Sequence, residues 1–409
     1  AVIPTMSESS TEQAEKEIDG SLKLCTFCMR LIGLSFQPPK TATANLLQKL
    51  MLAISVLSIC YHVFSEIVFI GLALSNSPKV EEVVPLFHTF GYGALSIAKV
   101  FVLWYKKDVF AQLIQELVEI WPVSPLSDED QMIKNKSLIA LRITSSCYFA
   151  ANFLGIWFYN ATPIAIYFYQ VLVQGQSDAQ VGFVWVSWYP FDKYEPFNHV
   201  AVYIFEMFAG QTCVWIMIGT DLLFSTMASH ICLLLRLLQR RLESVANSEQ
   251  KTPTECYKDI VDNIKLHQRL IRYCNDLEDA FAVSMLINYV LSSINICCVV
   301  FVIVLLEPFL AVSNKLFLAS ALIQIGMICW YGDDILHANS EIANSAYNSG
   351  WYKAHPRCRR ALQFLMNRSQ KPIAFTAMKF TNISLVTYSS ILTRSYSYFA
   401  LLYTMYSDK

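Results

Sequence analysis

Three places in this 409-residue chain hold residue types and spacings that could do chemistry. Cys25 and Cys28, in CTFC, have the spacing of half a zinc site or of a redox pair. No second pair at matching spacing exists and the flanks are apolar rather than glycine-rich, so isolated thiols are the better reading. Asp333 and Asp334 form a carboxylate pair at the end of an apolar run, with no evident partner. No GxSxG, HExxH or phosphate-binding glycine loop accompanies them, so no enzyme, metal or cofactor is expected. The third place is Phe375 to Tyr406, apolar or hydroxylic almost throughout, with Lys379 and Arg394 as its charges. A helix over this run exceeds the roughly 30 Å of a bilayer core, and its serines, threonines and tyrosines are out of place against lipid alone. A spanning helix with one wettable stripe suits a pore wall. Arg394 inside it costs about 2.5–3.5 kcal/mol on insertion scales, so it is expected to face water, a carboxylate or a subunit interface.

The rest of the chain must position that run, and composition says in what solvent. The chain is 55% apolar and 15% charged, with 26 Phe, 21 Tyr and 8 Trp. Soluble domains carry about 25% charged residues, and rings in this number suit membrane interfaces. The net charge of -1 excludes nothing. No cleavable signal peptide is visible, because the leader is polar. The expected fold is all-α and polytopic, with spans at Leu46–Leu74, Val83–Tyr105, Leu138–Val173, His199–Phe224, Ala280–Leu306, Leu316–Leu336 and the Phe375–Tyr406 run. Residues 1–20 read as a disordered leader, and Leu22–Phe36 as an amphipathic helix at the interface.

Lysines and arginines orient these seven spans. The leader, the 106–137 loop, the 236–279 segment and the 337–379 segment hold 23 of the 31, whereas the opposite connections and the tail hold four. Positive charge collects inside, so the N-terminus is cytoplasmic and the C-terminus extracellular. A G-protein-coupled receptor has its N-terminus outside, and neither a DRY-like triplet nor NPxxY is present. Of the twelve cysteines none falls in an outer connection, so no disulfide framework is expected.

Inside, Leu233–Leu242 continues the fourth span, and Tyr257–Ala280 carries Ile260, Ile264, His267, Ile271 and Cys274 on one helical stripe. Glu341–Asn367 is a further helix interrupted near Pro356. Together they read either as a cytoplasmic helical anchor or as solvated connecting helices. The domain plan is a leader with interfacial helix over 1–45, six spans with cytoplasmic extensions over 46–336, an anchor helix over 337–374 and the seventh span over 375–409. The aromatic connection Gln174–Asn198 could fold over the mouth as a lid; lying among lipid headgroups is the better reading.

YNSGWY at Tyr347–Tyr352, the basic stretch through Arg360, SQKPIAF at Ser369–Phe375 and SYSYFALL at Ser395–Leu402 resemble the insect odorant receptor family, as does the seven-span, N-inside plan. The resemblance implies a plasma-membrane, ligand-gated, non-selective cation channel opened by small volatiles and placed in olfactory sensory neuron dendrites. It implies a heterotetramer with a shared co-receptor, a last helix lining the pore, and no nucleic-acid partner. This chain looks like the odorant-tuned subunit, since the co-receptor's long cytoplasmic insertion is absent and its ending YFMVLVQLK is replaced by YFALLYTMYSDK. Aligning those endings puts the pore-narrowing positions on Leu401 and Met405 and the polar filter position on Thr404, where the co-receptor has Gln. On spacing alone Leu401 and Met405 are better read as facing lipid or other helices; the resemblance turns them to the gate.

An odorant pocket should be apolar and mostly closed, with one or two polar groups. The middle and outer parts of the spans supply Phe87, His88 and Tyr92, then Ala150, Phe153 and Trp157, then Phe208 and Gln211, with Asn295 where the outer half of the fifth span begins. Trp157 matches the family's aromatic box, whereas His88 is more often a satisfied interior histidine. A gustatory-type channel is the first alternative and would favour a polar-rich pocket. A transporter is the second, and would show internal repeats and Gly- or Pro-broken spans, which this chain lacks.

Overall fold

The computed structural model describes residues 8–37, 41–75, 80–123, 125–176, 179–245, 252–305, 311–371 and 373–407. Ten α-helices run through them: α1 Glu8–Leu31, α2 Ala42–Ser75, α3 Val80–Tyr105, α4 Lys107–Ile120, α5 Asp128–Leu172, α6 Pro196–Val245, α7 Pro253–Leu305, α8 Val312–Asn348, α9 Pro356–Ser369 and α10 Leu385–Ser407. A short hairpin, β1 Thr376–Ala377 with β2 Thr381–Asn382, precedes α10. Six helices (α2, α3, α5, α6, α7 and α8) are long and apolar enough to cross a membrane.

Local chemistry explains several boundaries. The Ser127 hydroxyl accepts from the Asp130 amide to cap α5, whose first turn is acidic and so favours the positive end of the helix dipole. At α7 the Glu255 carboxylate accepts from the Thr252 amide and hydroxyl, a capping box that sets Pro253 in the first turn. Pro356 opens α9 in the same way.

The core is built on α6. Its 50 residues make a rod of about 75 Å, more than twice a bilayer core, and almost every residue from Ala209 to Leu238 is buried. A helix apolar all round belongs inside a bundle. With α7 and α8 it continues past the spans into a second bundle with α1, α4 and α9, here called the hub end. On α7 the buried hub seam is Ile260, Asn263, His267, Leu270, Cys274 and Leu277, while Ile264 and Ile271 from the expected stripe are half-buried beside it.

Four expectations need correction. The leader is not disordered from Glu8 onward: Ala14, Ile18, Leu22, Cys25 and Met29 recur at helical spacing and are buried, so an apolar stripe in a polar composition binds α1 to the bundle. The earlier residues lie outside those described. Gly219 admits α1, since a Cβ there would stand 2.8 Å from Met29 Cε. The helix expected as the last span begins at Leu385, not Phe375, and is not among the six. Residues 376–382 form the hairpin, with Met378 and Lys379 at φ 49° and 62°. Phe375 is buried edge-on against Phe224, and a Cβ at Gly332 would fall 2.5 Å from the Ile383 carbonyl, so the hairpin is wedged against α8. The Asp333–Asp334 pair does have partners. Asp334 Oδ1 accepts from Arg236 at 2.5 Å, and Asp333 accepts from the Leu385 amide at the head of α10. Finally, the 179–198 connection folds into the bundle's end rather than lying flat: Val184, Trp185 and Ser187 are buried. We call this the plug end.

Candidate functional site

Buried charge marks the site. Lys99 of α3 donates to Asp221 Oδ1 of α6 at 2.5 Å, and each side chain is 1% exposed. Removing two charges from water is costly, and their attraction repays it only when the remaining lone pairs are satisfied. Here they are. Tyr148 Oη of α5 and Gln324 Nε2 of α8 each donate to Asp221 Oδ2 at 2.8 Å. Asn288 Oδ1 of α7 lies 3.5 Å from the same amide, so five helices meet around one carboxylate.

Toward the plug end this network floors a cavity of about 20 Å³, room for about one water. Tyr92, Met217, Phe317 and Ala321 supply apolar walls, and Ser292, Asn295, Ser320 and Gln324 supply polar ones. Asn295 is buried and its Oδ1 has no partner among the described residues. Gly91 allows this, because a Cβ there would lie 2.1 Å from that oxygen. The Phe317 ring stands edge-on to His88 and Tyr92, centroids 5.6 and 5.3 Å away.

The plug is held at the same end of the bundle. Glu206 Oε2 accepts from the Val184 and Trp185 amides at 2.9 and 3.0 Å, and Oε1 from Tyr189 Oη at 3.1 Å. Trp185 packs on Tyr159 and His62, and Gly210 leaves room for its indole.

Of the residues expected at a pocket, Tyr92 and Asn295 line this cavity and His88 touches its wall through Phe317. Phe87, Ala150, Trp157 and Phe208 lie on the outside of the single chain. Phe153 is half-buried in a ladder of rings with Phe149, Trp157 and Trp215. Gln211 is half-buried, its amide without a partner among the described residues. Met217, Ser292, Phe317, Ser320 and Gln324 were not anticipated, nor was the Lys99–Asp221 pair. A charge of each sign inside two apolar spans was the available signal.

Along α10, Thr387, Ile391 and Ser395 are buried at steps of four, while Leu401, Thr404 and Met405 are exposed. Arg394 donates to Tyr289 Oη of α7 at 2.7 Å, its guanidinium over the ring. The CTFC thiols take part in packing: Cys25 Sγ donates to the Gly219 carbonyl at 3.3 Å, and burial pushes the Cys28 thiol up to about 12. Such thiols are poor nucleophiles and ligands at neutral pH.

The profile of the 7tm Odorant receptor family matches residues 79–396. The chain belongs to the odorant receptor family. Odorant receptor 85c of Drosophila melanogaster is 29% identical over 373 residues, covering 90% of this chain and 94% of that one. Odorant receptor 85b of the same fly is 27% identical, covering 95% and 99%. These relatives are odorant receptors rather than the shared co-receptor. The insect olfactory receptor OR5 of Machilis hrabei, solved in complex with eugenol, superposes with a TM-score of 0.82 at 15% identity over 97% of this chain and 99% of that one. This odorant receptor is thus an all-helical, multi-pass membrane protein, a receptor of olfaction and not an enzyme.

Proposed function

We propose that this odorant receptor is an odorant-gated, non-selective cation channel subunit that assembles with co-receptor subunits into a heterotetramer in the plasma membrane of olfactory neuron dendrites. The observation that carries the reading is α10. It holds to its own chain by one buried stripe and leaves Leu401, Thr404 and Met405 uncovered, as a helix would that waits for neighbours around a central pore. In this reading α10 is the seventh span, the N-terminus and hub end are cytoplasmic, and the plug end is extracellular. The four segments expected from sequence then become leader, six-span body, anchor and pore helix, the last shortened to begin at Leu385. The hub joins subunits.

The volatile binds in the cavity above Asp221. Tyr92 and Asn295, with His88 behind Phe317, are its contacts in this chain; Phe153 and Gln211 border the same half of the bundle. Phe87, Ala150, Trp157 and Phe208 take part only through a neighbouring subunit or lipid. The mixed lining suits a small volatile with an apolar body and one hydrogen-bonding group. A ligand shifts the channel only by binding its open arrangement better than its closed one, and a cavity the size of one water is a closed arrangement.

Whole-cell recording against a panel of volatiles, with and without co-receptor, tests this. A fast inward cation current needing no G protein supports it. Confirmed surface expression with no volatile-evoked current in either setting overturns it.

A further inference from the structure

Small-molecule pockets are roughly 300–1,000 Å³, far larger than the cavity above Asp221. A recess of about 360 Å³ lies nearby, between α5, the plug and the start of α8. Tyr159, Thr162 and Pro163 form one wall, Phe183 another, and Ser313 and Asn314 a third. One face of α8 links the two spaces. Ser313 and Asn314 line the recess; Phe317 comes one turn later, and Ser320, Ala321 and Gln324 follow inside the cavity. The plug itself is held in place by the Glu206 clamp on Val184 and Trp185. At the floor of the recess the Thr162 and Ser313 hydroxyls hydrogen-bond to each other across α5 and α8. Pro163, in the recess wall, has no N–H to offer the Tyr159 carbonyl.

We propose that this recess is an antechamber in which a small, hydroxyl-bearing volatile first binds, and that the Phe317 ring is the door between it and the inner cavity. The inference rests on the odorant-channel reading for its ligand, but the passage itself is independent of channel activity. Swinging Phe317 away from His88 and Tyr92 joins the two spaces and uncovers Asn295 Oδ1, the unpaired acceptor that receives the ligand's hydroxyl.

The test needs no volatile. Ala321→Cys places a thiol on the far side of the door, and benzyl methanethiosulfonate is applied from outside to intact cells expressing the full complex. Mass spectrometry of the tryptic peptide then gives the labelling rate at that position. Phe317→Ala is expected to raise the rate about tenfold, as for a barrier lowered by about 1.4 kcal/mol, and Asn314→Trp to lower it by a similar factor. Ser320→Cys replaces Ala321→Cys should the latter fail to reach the surface. A labelling rate indifferent to both substitutions overturns the antechamber. Should the unmodified receptor give no current with any volatile, the channel reading falls while the labelling result still decides the passage.

Discussion

Tyr148 and Lys99 both end on Asp221, one on each carboxylate oxygen, so α3 and α5 are tied through a single residue of α6. Breaking this arrangement from one side leaves a buried charge uncompensated. Lys99→Met or Asp221→Asn alone is expected to cost about 3–5 kcal/mol. The double variant K99M/D221N keeps an oxygen for Tyr148 and removes both charges, so it should lose less than either single change. Thermal unfolding of the detergent-solubilised receptor distinguishes the two patterns.

Gly91 is held by the approach of Asn295. Gly91→Ala should push the Asn295 amide aside and reduce the potency of an activating volatile about tenfold, since one misplaced hydrogen bond is worth about 1–3 kcal/mol. Removing the obstruction with Asn295→Ala in the same chain should make the Gly91 substitution nearly silent. Dose–response curves for the four combinations measure the coupling.

Acid sensitivity should arise partly at Glu17, which joins α1 to Lys134 at 2.5 Å and to the Trp121 indole at 2.7 Å. Burial raises this carboxyl, but hydrogen bonds from Lys134, Trp121 and Gln13 outweigh it and hold the group below its ordinary 4.5. A depressed carboxyl contributes stability that is fully present above the unfolded value and is lost as pH falls through the folded one. Unmodified receptor should therefore lose this contribution only below about pH 4.5, and Glu17→Gln should flatten that limb. Melting temperatures between about pH 3 and about pH 7 check the sign.

If the uncovered face of α10 forms the gate, making it wettable should hold it open. Leu401→Ser and Met405→Ser are expected to raise ligand-free current about tenfold by removing a dewetted constriction. Thr404→Gln should alter unitary conductance and leave the resting open fraction alone. Single-channel recording separates the two effects; unchanged resting current in both serine variants would refute the assignment.

Much of the architecture was legible because long apolar runs have few alternatives in a chain so poor in charge. The six long helices were found, with α6 continuing into Leu233–Leu242 as its leucines suggested. Which face of each helix looks inward was not legible. Outward-facing and core-facing positions are both apolar, so nothing in the sequence showed that Phe87, Trp157 and Phe208 are exposed in the single chain. Polar residues told more: Tyr92 and Asn295 do line the cavity, and Ser292, Ser320 and Gln324 carried the same signal unread. The hairpin at Thr376–Asn382 was missed because its cause is remote. Phe375 needs Phe224, and Ile383 needs the bare backbone of Gly332, and neither is visible within the run itself. The leader's stripe from Ala14 to Met29 was hidden under polar residues in the same turns.

The α6 helix has no proline after its first residue, and Asp221 lies half-way along it. A stiff beam pinned near its middle behaves as a lever with a fulcrum. In the channel reading, pressure on one arm, where Glu206 holds the plug and Met217 borders the cavity, would appear as opposite travel on the other, where Arg236 grips Asp334 beside the head of α10. In that same reading, leverage rather than a relay of small rearrangements would carry an odorant's arrival to α10.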